Sequence, residues 1–251
     1  MPVAYTRAVS PRLADCETTQ AERVDVARAV AQHAAYERAL ADAGFDVRRL
    51  PALDDHPDSV FVEDTALMLG AHAVILRPGA ASRAGETDSV ALGLTNSFVV
   101  HRLDKGHVDG GDVLRIGDIL YVGISSRTDL AGIRALGDLV GTLGYGVVPV
   151  PVVGGLHLKS AATAVNNVLV HNPAWVSAGQ FPGTDPLAVA PGEALGGNVL
   201  LAGDTLLTAA DSPRTAEALT ARGFNIVSLD ISEMRKADAA LTCMSLISEE
   251  A

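Results

Sequence analysis

Three times along the chain a helix-patterned stretch runs into glycine and an aromatic residue, then into a strand-patterned stretch. The first copy is residues 24–43 followed by Gly44-Phe45-Asp46-Val47-Arg48-Arg49-Leu50. The second is 130–143 followed by Gly144-Tyr145-Gly146-Val147-Val148-Pro149-Val150, and the third is 215–222 followed by Gly223-Phe224-Asn225-Ile226-Val227-Ser228-Leu229. Glycine directly after a helix can take the left-handed capping conformation. The stretch beyond it alternates or runs apolar, as a half- or fully buried strand does. Between these copies lie pairs of apolar runs joined by short turns: 64–69 and 73–76 about Gly70-Ala71-His72, 113–116 and 119–122 about Gly117-Asp118, and 198–201 and 205–208 about Ala202-Gly203-Asp204. Such pairs predict hairpins. The unit is therefore hairpin, helix, strand. A unit of this size cannot bury its apolar face alone, but several arranged around an axis can. A ring of them brings strand ends and loops to one centre. The competing arrangement is a plain α/β sandwich in which the repeats are coincidental. No Ser/Gly/Pro-rich linker separates the units, which predicts one α/β domain over residues 1–251 with internal pseudo-symmetry.

Composition narrows the function. Hydrophobic residues make up 48% of the 251 and charged residues 20%, which is globular rather than disordered. The net charge is −11 and no Lys/Arg run is longer than Arg48-Arg49, so no basic patch for nucleic acid is visible. The acidic balance suits a small cationic ligand as well as plain solubility. Two cysteines, Cys16 and Cys243, are too few for a disulfide framework and form no CxxC, which points to a reducing, cytoplasmic setting. Neither a signal peptide nor a transmembrane stretch is apparent, so no membrane partner is expected.

Cys243 lies in an apolar segment, where a lone cysteine is usually a small core residue. As a nucleophile it needs a base within reach and an electropositive setting. His157, in Gly154-Gly155-Leu156-His157-Leu158-Lys159-Ser160, is the strongest of seven histidines for that role, because the two glycines permit close backbone approach. His33 falls in a helical pattern and His72 in a hairpin turn. Glu63 and Asp64 sit inside an otherwise apolar stretch. Carboxylates are costly to bury there unless a cation or hydrogen bonds compensate, and a planar guanidinium is such a cation. Asp109-Gly110-Gly111-Asp112 marks a tight backbone beside two more carboxylates. A metal is the rival use of these acids and histidines. No HExxH, EF-hand loop or Cys/His ligand spacing is present, so neither metal nor cofactor is expected. Arg83 and Arg127 follow the first two hairpins, where an arginine can clamp a carboxylate through two parallel hydrogen bonds.

Taken in order, Asp58-Ser59-Val60-Phe61-Val62-Glu63-Asp64, Arg77-Pro78-Gly79-Ala80-Ala81-Ser82-Arg83, Asp109-Gly110-Gly111-Asp112-Val113, Leu156-His157-Leu158-Lys159-Ser160 and Leu241-Thr242-Cys243 span almost the whole chain. In these motifs the chain resembles the dimethylarginine dimethylaminohydrolases of the guanidine-modifying (pentein) superfamily. The resemblance implies a five-bladed α/β propeller with pseudo-fivefold symmetry. It also implies hydrolysis of N-omega-methylated arginines to citrulline and dimethylamine or methylamine through a covalent cysteine intermediate. It places Cys243 as nucleophile, His157 as proton donor and Asp109, at a position where some members have Glu, as the acid that orients the histidine. Asp58, Glu63 and Asp64 fall at the acidic positions around the guanidinium, and Arg83 and Arg127 at the amino-acid end. Leu13 falls on a mobile lid, and Ala237, often Val in the family, at a backbone contact to the substrate's amino group. Zn binding to the thiolate as an inhibitor is allowed but not required. The implied partner is a small-molecule substrate, met by a monomer or homodimer. Two other readings remain open: an arginine deiminase or other amidine hydrolase on the same fold, and a catalytically silent binder of cationic amino acids. The stretch 166–193 matches weakly.

Overall fold

In the computed structural model, which describes residues 1–248, the three strands of the unit recur five times, with a crossover helix in four of the five. The last three residues of the expected 1–251 domain lie outside the described residues. The strands are β1 (Val3–Arg7), β2 (Asp46–Leu50), β3 (Ala66–Leu69), β4 (His72–Ile75), β5 (Val99–Arg102), β6 (Val113–Ile116), β7 (Ile119–Ile124), β8 (Gly146–Pro151), β9 (Ala162–Val165), β10 (Val168–His171), β11 (Asp185–Ala188), β12 (Leu200–Ala202), β13 (Thr205–Ala209), β14 (Asn225–Leu229) and β15 (Leu246–Ser248). The helices are α1 (Val26–Asp42), α2 (Glu86–Leu94), α3 (Leu130–Gly141), α4 (Leu158–Ala161), α5 (Pro213–Ala221) and α6 (Ser232–Arg235).

These strands form five three-stranded sheets. In each, the first pair is antiparallel and the second parallel, as in β3–β4 and β4–β5. A parallel pair demands a crossover, and α1, α2, α3 and α5 supply it in four blades. In the fourth blade only the 3-10 turn Ala178–Gln180 lies between β10 and β11. The first blade is completed by the far end of the chain, with β15 antiparallel beside β1 and Val3 opposite Ser248.

Local sequence explains the units. The Asp25 side chain accepts from the Arg28 N–H and Asp129 from the Gly132 N–H, so α1 and α3 begin on side-chain caps. Gly44, Gly144 and Gly223 all have φ near +90°, a conformation that lets each helix end and turn back into its strand. Five buried apolar clusters follow the ring. Val3, Tyr5 and Ile75 join the first blade to the second, Leu67 and Leu120 the second to the third, and Tyr121 and Leu169 the third to the fourth. Val170 and Leu206 join the fourth to the fifth, and Leu207 with Ala4 and Tyr36 closes the fifth onto the first. No blade buries its face alone, which is the physical content of the propeller expectation.

Several local expectations shift. Glu63 and Asp64 lie in the 3-10 turn Val62–Thr65 that precedes β3, not in the strand. His72 opens β4 instead of sitting in the turn, and its Nδ1 lies 3.0 Å from His101 Nε2. β12 begins at Leu200, leaving Asn198 in the approach to it. His33 is buried, and burial pulls its pKa down to about 4 despite nearby Glu37. Among the described residues no helix is long and apolar enough to cross a membrane.

Candidate active site

The first strands of neighbouring blades touch around the axis: β15 against β3, β6 against β9, and β9 against β12. The segment just before each first strand therefore arrives at one end of the ring. Those segments are the turn Val62–Thr65, the turn Gly110–Asp112, His157 with α4, Asn198, and the turn Thr242–Met244 that carries Cys243. Five sequence-remote stretches thus occupy equivalent places and pack on one another.

The acid–base pair is built from backbone outward. His157 is the N-cap of α4. The following N–H, of Leu158, donates to Asp112 Oδ1 at 2.9 Å, which fixes where the imidazole starts. The ring places Nε2 3.1 Å from Asp109 Oδ2 and Nδ1 3.9 Å from Asp64 Oδ1. Asp109 is aimed in turn by the Gly79 N–H, which donates to Oδ1 at 2.7 Å. Asp64 accepts from the Gly111 N–H at 2.9 Å. The two glycines have a steric reason: a Cβ on Gly110 would lie 1.9 Å from the Glu63 carbonyl oxygen, and one on Gly111 2.5 Å from His157 Nδ1. The glycines before His157 pack on an aromatic ring instead, for a Cβ on Gly154 would meet Trp175 at 2.6 Å. Burial works against the charged imidazole, but Asp64, Asp109 and Asp112 outweigh it and raise the His157 pKa to about 9.

Cys243 is half-buried. Its turn is pinned by Asn198, whose Oδ1 accepts from the Thr242 N–H at 3.2 Å and whose Nδ2 donates to Thr242 Oγ1 at 3.0 Å. That hydroxyl donates onward to Glu63 Oε2 at 2.8 Å. Burial pushes the thiol pKa well up, and the carboxylates of Glu63 and Asp64 push it further. Lys159 pulls the other way without offsetting this, so Cys243 rests as a thiol.

Cys243, His157, Asp109, Asp58, Asp64, Arg83, Arg127 and Ala237 line one cavity of about 30 Å³, room for about one water. Burial raises the Asp58 carboxyl to about 6, against the pull of Arg83 and the Glu17 N–H. Arg83 is buried and already engaged, 2.5 Å from Asp64, 2.8 Å from Glu86 and donating to the Phe61 carbonyl at 2.7 Å.

Two of the expected residues are not in this wall. Leu13 is fully buried in the cluster between the fifth and first blades, so it anchors the segment that leads to the cavity instead of facing it. Glu63 points away and pairs with Lys159 Nζ at 2.5 Å. Glu63 and Lys159 line a second cavity of about 440 Å³, whose wall includes none of Cys243, His157 or Asp109. The sequence reading missed Glu17 and Asp238, which do line the small cavity. Neither carries a motif, since one acid in a polar loop looks like any other. Asp238 has one weak sign: its φ of 54° is a left-handed conformation that Asp tolerates better than most residues.

Asp64, Asp109 and His157 also offer ligand atoms within 4.8 Å of one another, a spacing compatible with a metal ion. Here both ring nitrogens face carboxylates, which favours a proton on the ring in the absence of an ion.

A closed ring of five α/β blades with a cysteine, a carboxylate-held histidine and acidic side chains at its axis defines the guanidine-modifying, or pentein, class of hydrolases. No protein-family model matches the chain. It is 42% identical to an N(G),N(G)-dimethylarginine dimethylaminohydrolase of Streptomyces coelicolor over 97% of this chain and 95% of that one. It is 34% identical to one of Pseudomonas aeruginosa, over 88% and 89%. The solved structure of a Pseudomonas aeruginosa dimethylarginine dimethylaminohydrolase mutant complexed with citrulline superposes with a TM-score of 0.94 at 32% identity, covering 97% of this chain and 98% of that one. The N-terminal domain of ArgZ, an arginine dihydrolase, superposes at 0.87 with 21% identity, which speaks for the fold alone. The chain belongs to the N(G),N(G)-dimethylarginine dimethylaminohydrolase family and is an amidine hydrolase.

Proposed function

We propose that this enzyme hydrolyses N-omega-methylated arginines to citrulline and dimethylamine or methylamine, with Cys243 as nucleophile, His157 as proton donor and acceptor, and Asp109 orienting the imidazole. The observation that carries the assignment of roles is the shared cavity. A thiol and an imidazolium held by Asp109 face the same small space, walled by Asp58 and Asp64.

The substrate guanidinium adds a further cation in the cavity that Cys243 faces. Its charge beside Sγ favours the thiolate, and the thiol proton leaves to solvent. Asp58 and Asp64 orient the guanidinium nitrogens, while Glu63, one layer behind and tied to Lys159 and Thr242, steadies the turn that carries Sγ. The thiolate attacks the guanidinium carbon and forms the C–S bond. The imidazolium of His157 gives its proton to the departing amine as the C–N bond breaks. The neutral imidazole then takes a proton from water, and the resulting hydroxide attacks the thiouronium carbon. The C–S bond breaks, the proton on the new oxygen passes to the departing sulfur, neutral citrulline leaves, and thiol and imidazolium are restored. No step draws on a cofactor. Arg127 holds the substrate carboxylate and the Ala237 backbone the amino group. Arg83 keeps Asp64 in place, since its donors are already committed. A cytoplasmic location fits a nucleophile that must stay a free thiol.

The test is citrulline release from asymmetric dimethylarginine, monomethylarginine and arginine, by the protein and by Cys243→Ser. Turnover of the methylated substrates that the variant loses is the expected result. Turnover of arginine alone would move the chain to a deiminase, and no citrulline from any of them would remove the assignment.

A further inference from the structure

Glu17 lines the cavity and the reaction derived above does not use it. It follows the 3-10 turn Leu13–Asp15 and reaches across the opening to Arg127. Its Oε2 accepts from Arg127 Nη2 at 2.9 Å, its Oε1 accepts from Ser82 Oγ, and its N–H donates to Asp58 Oδ2 at 3.2 Å. The Ser82 hydroxyl and the Arg127 charge hold its carboxyl below the usual range, so it is ionised at neutral pH. The next residues are strapped to the opposite wall. Thr18 Oγ1 donates to the Lys236 carbonyl at 2.7 Å, the Thr19 N–H donates to Asp238 Oδ2 at 2.6 Å, and Gln20 Nε2 donates to Asp238 Oδ1 at 2.6 Å. These bonds are exposed, and exposed polar contacts of this kind exchange readily with water.

With the strap down, the cavity of about 30 Å³ is far below the roughly 300–1,000 Å³ of a small-molecule site. A substrate the size of an amino acid enters only when Glu17 releases Arg127. Arg127 is then open to an anion and Glu17 to a cation. An α-amino acid presents both on a single carbon.

We propose that Glu17 is a specificity-determining residue for the zwitterionic head of the substrate. The Glu17–Arg127 ion pair opens and is replaced by two, α-carboxylate on Arg127 and α-ammonium on Glu17. A head with carboxylate alone must compete with Glu17 for Arg127 and leaves Glu17 unpaired. A head with ammonium alone leaves Arg127 unpaired. The inference rests on the reading that the substrate is a methylated arginine.

The experiment compares kcat/KM for asymmetric dimethylarginine and for its des-amino analogue, the dimethylated guanidinopentanoate, in the protein, in Glu17→Gln and in Glu17→Asp. A charge-assisted contact at this site is worth about tenfold or more. The preference for the α-amino substrate is expected to fall by about that factor in Glu17→Gln and to survive in Glu17→Asp. A purely structural effect lowers both substrates together, and an unchanged ratio in Glu17→Gln would overturn the inference while leaving the hydrolase assignment intact. Absence of turnover by the unmutated protein would remove the assignment and this inference with it.

Discussion

Replacing Asp109 by Asn separates the charge that holds the His157 proton from the shape that holds the ring. Asn keeps the size of Asp and an acceptor oxygen, so the Gly79 N–H bond at 2.7 Å can persist. What it removes is a negative charge 3.1 Å from His157 Nε2. The His157 pKa stands at about 9, against an ordinary value of 6.5. At 1.36 kcal/mol per pH unit, that difference favours the folded imidazolium by about 3 kcal/mol. Asp64 and Asp112 share in it, so losing Asp109 alone should lower the pKa by about one to two units. Because the folded value is the raised one, the stabilisation is fully present below pH ~6.5 and is lost as pH rises through about 9. Denaturation midpoints should therefore fall between those pH values in the wild type and fall less in Asp109→Asn. The decisive assay pairs an NMR titration of the His157 ring with the alkaline limb of kcat/KM. Both should move down by the same one to two units. A His157 that titrates near 6.5 in the wild type, or an alkaline limb that does not move, would refute the reasoning.

Three further outcomes follow from the same geometry. Cys243→Ser should lower citrulline formation by about 10⁴-fold or more, with no covalent adduct visible by mass spectrometry after quenching; a variant with near-native turnover would rule out the thiolate route. Gly111→Ala places a methyl 2.5 Å from His157 Nδ1 and 2.9 Å from Asp64 Oδ1, and neither partner is a loose side-chain end. It should cost about 1–3 kcal/mol in stability and about 10²-fold in kcat, read by denaturation and steady-state kinetics, and a neutral result would mean that the turn can shift freely. Lys159→Met strands the buried Glu63 carboxylate and should destabilise by about 3–5 kcal/mol, whereas Lys159→Met with Glu63→Gln should recover much of that; equal losses in the single and double variants would show the ion pair is not the cause.

The repeat was legible where its punctuation was complete. Gly44, Gly144 and Gly223 each follow a helix, and all three fall at φ near +90° in the structure. The second blade's helix and last strand carried no such sign, because Thr95-Asn96-Ser97-Phe98 links α2 to β5 without a glycine. The fourth blade was silent for a different reason: with no crossover helix it has no 3.6-residue period to detect. Among site residues, Asp109 and Asp112 were marked by the glycines between them, and those glycines proved sterically necessary. Leu13 was placed at the site through resemblance alone, and Glu63 also through its place in an otherwise apolar stretch. An apolar side chain in a loop that touches the core goes to the core, and a buried carboxylate turns toward an available lysine. Glu17 was illegible because its meaning depends on Arg127, more than a hundred positions away in sequence.

The pairing of Val3 with Ser248 has a consequence for the life of the molecule before it is finished. On the ribosome β1 and β2 are made long before β15, the strand that covers the edge of their sheet. That strand arrives just after Cys243, which comes from the tunnel last of all the reactive groups. One short stretch thus carries both the thiol and the strand that seals the sheet edge. Loosening β15 would expose a strand edge and free the turn that carries Cys243 at the same moment.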